Sequence, residues 1–77
     1  MQITIKYFGM LAEVTNCQEE TLDEKVTSVL DVLNILYSKH PLLKTKDFQV
    51  AQNQVLVAKE TLLTQGELAL LPPFAGG

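Results

Sequence analysis

Ser28-Val29-Leu30-Asp31-Val32-Leu33-Asn34-Ile35-Leu36-Tyr37-Ser38-Lys39-His40, followed by Pro41, is the stretch from which the fold is read. Val29, Val32, Leu33, Leu36 and Tyr37 recur at helical spacing, opposite Asp31, Asn34 and Ser38, so one stripe is apolar and the other faces water. Ser28 with Asp31 three residues on resembles a capping box built with the shorter acid, and Thr27 is a second candidate cap. Pro41 disfavours helical geometry for its predecessor, so the helix ends at or before His40. The stripe is a packing surface and not a cofactor site. What it packs against lies on both sides of it in the chain.

On the N-terminal side, Gln2 to Phe8 alternates, with Ile3, Ile5 and Tyr7 on one face and Gln2, Thr4 and Lys6 on the other, as a half-buried strand requires. Phe8 falls on the polar side, either covered by its neighbours at the strand end or part of an exposed apolar patch for a partner. Gly9 to Val14 reads as a turn with one helical turn, and Thr15-Asn16 reverses the chain into a second strand near Cys17 to Leu22. On the C-terminal side, Leu42 to Asp47 connects, its lysines with Lys39 forming a solvated positive cluster. Phe48 to Ala51 and Val55 to Ala58 read as short strands about a turn at Asn53-Gln54. Leu62 and Leu63 are expected to plug one end of the core. Gly66 marks the turn into a last strand, Glu67 to Leu71, with Leu68 and Leu70 facing inward and Leu71 outward. The order predicts an α+β fold, a mixed sheet of about five strands with one main helix across one face, spanning 1–71.

Seventy-seven residues make a single domain with a small core and no room for a large cleft. A hydrophobic share of 47% argues against disorder, and a single cysteine excludes an internal disulfide framework and suggests a reducing compartment. The chain shows no basic segment leading into an apolar run and no apolar stretch near the roughly 20 residues a bilayer requires, so a soluble, cytoplasmic protein is expected. Net charge is −3 and there is no arginine, which disfavours nucleic acid. Cys17 and His40 stand far apart in sequence, too few for an expected metal site. Nothing marks His40 as a base for Cys17, which reads as a small apolar residue, while His40 suits the negative end of the helix. No glycine-rich phosphate loop is present.

What remains unusual is the end, Leu71-Pro72-Pro73-Phe74-Ala75-Gly76-Gly77. Two prolines stop ladder pairing and project the rest as an extended segment, 72–77, whose five residues from Pro73 onward reach about 16 Å at roughly 3.3 Å per residue. Gly76 and Gly77 let backbone pass a constriction and leave the terminal carboxylate bare. With Gly at about 7% of residues, such a pair arises at a terminus by chance in roughly one chain in two hundred. A carboxylate is a poor electrophile. Coupling it to AMP from ATP would activate it, and a sulfur donor could then displace AMP to leave a thiocarboxylate.

Ala51-Gln52-Asn53-Gln54 with Val55-Leu56-Val57, Gly66-Glu67, the weaker Tyr7-Phe8-Gly9-Met10-Leu11-Ala12-Glu13, and above all Leu70-Leu71-Pro72-Pro73-Phe74-Ala75-Gly76-Gly77 carry a family likeness. The chain resembles the small, sulfur-carrying subunit of molybdopterin synthase, a ubiquitin-like β-grasp protein, over its whole length. The resemblance implies that Gly77 is adenylated by a ubiquitin-activator-like enzyme that uses ATP, then thiocarboxylated from a persulfide donor protein. The tail, with Gly76 as narrow neighbour, then enters the large synthase subunit to supply sulfur to cyclic pyranopterin monophosphate. It further implies a heterotetramer, an active site on the large subunit and no cofactor bound by this chain. Phe8, Leu11, Leu71, Pro72, Pro73, Phe74 and Ala75 are the expected contact residues. Two features depart from the family: Ala12 stands where many relatives have Arg, and the Gly66-Glu67 turn is one residue short. Related carriers for thiazole or tRNA thiolation, protein modifiers, and an inert interaction module are the alternative readings.

Overall fold

In the computed structural model, which describes residues 2–64 and 66–73, the chain runs β1 (Gln2–Tyr7), α1 (Met10–Thr15), β2 (Glu19–Asp23), α2 (Val29–Lys39), a 3-10 turn (Pro41–Thr45), β3 (Gln49–Gln52), β4 (Val55–Val57) and β5 (Gly66–Leu71). The five strands form one sheet in the order β2-β1-β5-β3-β4. β1 and β5 are parallel, with Ile5 opposite Leu68 and Tyr7 opposite Leu70, and the other neighbours are antiparallel. Parallel neighbours cannot be joined by a tight turn, so α2 and the β3–β4 hairpin fill the crossover.

α2 begins as its sequence dictates. Ser28 Oγ accepts the Asp31 amide at 3.2 Å, and the Asp31 carboxylate accepts the amides of Thr27 and Ser28 and the Thr27 hydroxyl. Those donors, the Thr27 amide foremost, hold the Asp31 carboxyl below its ordinary range. At the far end His40 caps the helix and its amide donates to the Leu36 carbonyl at 2.7 Å.

Val29, Val32, Leu33 and Leu36 of α2 are fully buried, in one cluster with Ile3, Ile5, Tyr7, Leu22, Val50, Leu68 and Leu70 from the sheet. Leu11 and Leu43 join them with no exposed surface. Leu43 lies in the predicted connector: Pro41 starts the 3-10 turn there, and Leu43 points into the core from it. Among the described residues no buried side-chain polar atom lacks a partner, as a stable small core requires.

The pair Leu62 and Leu63 divides. Leu63 packs on the core, but Leu62 is 72% exposed, which corrects its assignment as a plug. Its backbone is pinned from both sides: residue 62 bridges Ser28, and the Leu62 carbonyl accepts Gln52 Nε2 at 3.2 Å. Alternation along that pinned stretch turns one leucine inward and the other out. The second strand also starts later than read, at Glu19, leaving Cys17 in the bend before it.

Candidate functional site

Among the described residues, no helix covers the face of the sheet turned away from α2. Across it the register aligns Lys6 with Ala69, Ala69 with Ala51, and Ala51 with Leu56, so small side chains form a shallow floor between a lysine and a leucine. Phe8 and Leu71 stand at one end of that depression and Glu67 at the other. Phe8 is 45% exposed and Leu56 59%, while Leu71 is half-buried. Lys6 and Glu67 pair at 3.2 Å, but both are well solvated, so the pair contributes little to stability.

The tail leaves from the Phe8 end, and its first step is set by Gly9. That glycine has φ 58° and ψ −135°, a region nearly closed to other residues, and a Cβ there would lie 2.7 Å from Pro72 Cγ. Pro72 therefore rests on bare backbone. The Phe8 amide donates to the Leu70 carbonyl at 3.1 Å, so the end of β1 and the base of the tail are held together just before the prolines.

The far end of β5 is set by Asn53 and Gln52. Asn53 and Gln54 both have positive φ, 50° and 73°, the geometry of a two-residue hairpin turn. Asn53 Oδ1 accepts the Glu67 amide at 3.1 Å, its Nδ2 donates to the Thr64 hydroxyl, and its own amide donates to the Glu67 carbonyl. Buried Gln52 holds the Leu62 carbonyl and the Thr64 amide. Gly66, at φ 138°, leaves room for the Asn53 carboxamide. The Gln52-Asn53 pair is thus a clamp on the loop into β5, and Gly66 and Glu67, read from sequence as a turn, are the first two residues of that strand.

Of the contact residues expected from sequence, Phe8, Leu71 and Pro72 come together at the tail base and Pro73 is exposed beside them. Leu11 does not join them. It is fully buried on the inward face of α1, so it belongs to the core and not to a contact surface. Ala12 is half-buried against the same core. Phe74, Ala75, Gly76 and Gly77 lie outside the described residues. Sequence reading missed Lys6, Ala51, Ala69 and Leu56 as members of the open face. The only signal was that Val55-Leu56-Val57 is apolar on both sides of a short strand.

A sequence model of the ThiS family matches residues 5–77. The chain belongs to the ThiS family. This is a group of ubiquitin-like sulfur carriers, and the mixed sheet with one crossing helix is its β-grasp architecture. Solved structures agree. SAMP1 from Haloferax volcanii is 29% identical with a TM-score of 0.83, covering 100% of both chains. A chain in the complex of subunits 1 and 2 of the molybdopterin-converting factor from Helicobacter pylori matches with 25% identity, a TM-score of 0.70 and 100% of both chains covered. The Pyrococcus furiosus protein assigned as molybdopterin converting factor subunit 1 shares the fold at a TM-score of 0.87 and 20% identity, covering 95% of this chain and 98% of its own. No described helix of this ThiS-family chain is long and apolar enough to cross a membrane.

Proposed function

We propose that this sulfur carrier is the small subunit of molybdopterin synthase, delivering sulfur on Gly77 for the dithiolene of molybdopterin. The observation that carries the reading is the Pro72-Pro73-x-x-Gly76-Gly77 ending, launched from a proline seated on Gly9 beside an open apolar face. The likeness to a subunit that forms a complex with a second subunit in Helicobacter pylori supports a large-subunit partner.

The chemistry follows from the terminal carboxylate. Its oxygen attacks the α-phosphorus of ATP on an activating enzyme and pyrophosphate leaves, giving a glycyl adenylate. The terminal sulfur of a donor's persulfide attacks the carbonyl carbon and AMP leaves with the bonding pair. A second thiol then reduces the resulting acyl disulfide and frees the thiocarboxylate. The carrier's own contribution is presentation: a stiff exit, side chains absent at Gly76 and Gly77, and a docking face of Phe8, Leu71 and the alanine floor. Catalytic groups and any cofactor belong to the partners, and a heterotetramer of two carriers with two large subunits is the expected assembly.

The test is intact mass after incubation with the activating enzyme, ATP and a persulfide donor, followed by addition of the large subunit and cyclic pyranopterin monophosphate. Replacement of one oxygen by sulfur at Gly77 and formation of molybdopterin are expected. Thiocarboxylate without molybdopterin would instead assign the carrier to thiazole or tRNA thiolation. An unchanged mass would reduce it to an interaction module. The likeness to a small archaeal modifier protein of Haloferax volcanii favours one further reading, a protein modifier, and a conjugate on a lysine in the same incubation would reveal it.

A further inference from the structure

At the C-terminal end of α2 the fold brings His40 to two side chains from a distant part of the chain. Cys17 follows α1, Glu20 is on β2 and His40 caps α2, yet one ligand atom from each lies within 4.8 Å of the others. His40 Nε2 is 2.7 Å from Glu20 Oε2, and Cys17 Sγ is 4.0 Å from the same oxygen. All three are half-buried, with Glu20 and His40 side chains 14% and 17% exposed.

We propose that Cys17, Glu20 and His40 form a binding site for a zinc-class divalent cation, with a fourth position open to solvent. In a tetrahedral site with metal–sulfur bonds near 2.3 Å and metal–nitrogen bonds near 2.0–2.1 Å, neighbouring donors sit about 3.3 to 3.7 Å apart. The hydrogen-bonded Nε2 and Oε2 must part by roughly half an ångström, and the sulfur must close by about half an ångström on Oε2 and by up to about 1.3 Å on the imidazole nitrogen, a movement that turning the Cys17 side chain can supply. One thiolate, one imidazole and one carboxylate is a donor set suited to such a cation and unsuited to calcium or magnesium.

The surroundings act as supports. Tyr7 Oη donates to Glu20 Oε2 at 2.5 Å, Lys39 pairs with the other carboxylate oxygen, and the Tyr7 ring meets His40 edge-on at 6.0 Å. The Cys17 thiol points at the Thr15 hydroxyl, 3.7 Å away, which in turn donates to the Leu11 carbonyl. Such outer contacts orient ligands before a metal arrives. On binding, the Cys17 thiol proton passes to solvent, the proton that His40 Nε2 donates to Glu20 Oε2 leaves that nitrogen by way of solvent so that Nδ1 carries the ring proton and the Nε2 lone pair faces the cation, and the Nε2–Oε2 hydrogen bond is replaced by two metal–ligand bonds.

Cobalt(II) titration of the tag-free, reduced, metal-free full chain tests this directly, because Cys17 is the only cysteine. Expected are tetrahedral visible bands and a near-ultraviolet thiolate-to-cobalt band that saturate at one cation per chain, vanish when Zn²⁺ is added, and accompany a rise in melting temperature. Cys17→Ser should abolish the near-ultraviolet band, and His40→Gln, which keeps the backbone cap on Leu36 and a polar side chain, should weaken cobalt binding by tenfold or more. Absence of the thiolate band at millimolar cobalt overturns the proposal. So does a band of unchanged affinity in both His40→Gln and Glu20→Gln, which would mean a lone thiol binding adventitiously. Neither result touches sulfur transfer at Gly77, so this site and the carrier reading fail separately.

Discussion

Gly9 is the residue at which backbone conformation, packing and the proposed function meet. Its φ and ψ exclude a side chain on steric grounds, and the only volume a Cβ could take is occupied by Pro72. A non-glycine residue held in such a region costs roughly 1–3 kcal/mol. Gly9→Ala should therefore lower the melting temperature by about 4 °C or more, given that 1 kcal/mol corresponds to about 4–8 °C in a domain of this size. It should also impair sulfur transfer beyond what the stability loss explains, because Pro72 must move and the tail's exit with it. Calorimetry on the variant, with transfer assayed well below its melting point, separates the two effects. An unchanged melting temperature would show that the strain is absent. The glycine was visible in sequence only as a turn, since the contact that makes it indispensable comes from a residue sixty-three positions later.

Among the elements, α2 was the most legible. Its stripe, its capping box and its end before Pro41 all appear where the spacing placed them, because each rests on interactions within four residues. The cap makes a prediction about pH. Asp31 has a lowered carboxyl pKa in the folded chain, so its contribution is present above the unfolded value and is lost as pH falls through the folded one. Asp31→Asn should thus be less stable than the wild type near neutrality, with the difference shrinking to nothing in acid below the folded pKa. Urea unfolding at a series of pH values checks this, and a pH-independent difference would mean the carboxylate charge plays no part. The β-elements were less legible. Strand boundaries moved by one or two residues, as at Glu19, because pairing partners decide where a ladder begins. The connector after Pro41 hid Leu43 for the same reason: one buried leucine in a short 3-10 turn has no period to announce it.

At the scale of the whole molecule, two apolar residues three apart in sequence have opposite roles. Leu11 is fully buried and Phe8 is 45% exposed. Leu11→Ala should cost about 2–5 kcal/mol, a large share of the margin of so small a domain, and Tm should fall steeply. Phe8→Asp should leave Tm nearly unchanged while weakening association with a large synthase subunit by tenfold or more. Binding by calorimetry alongside thermal melts distinguishes them, and equal binding by Phe8→Asp and wild type would remove the open face from the interface. Removing Gly77 belongs to the same scale: transfer should be abolished with melting behaviour nearly intact, because a terminal glycine has no side chain to bury.

From sequence alone came the helix and its cap, the alternation of β1 and β5, the Asn53-Gln54 turn and the proline-to-glycine ending, since each depends on residues close together in the chain. Tertiary structure alone decided that Leu11 points in and Phe8 out, that Leu62 is exposed, and that Pro72 rests on Gly9. It also brought Cys17, Glu20 and His40 to one place. The reason is physical: local periodicity chooses which face of an element is apolar, but which elements those faces meet is settled by the packing of the entire core.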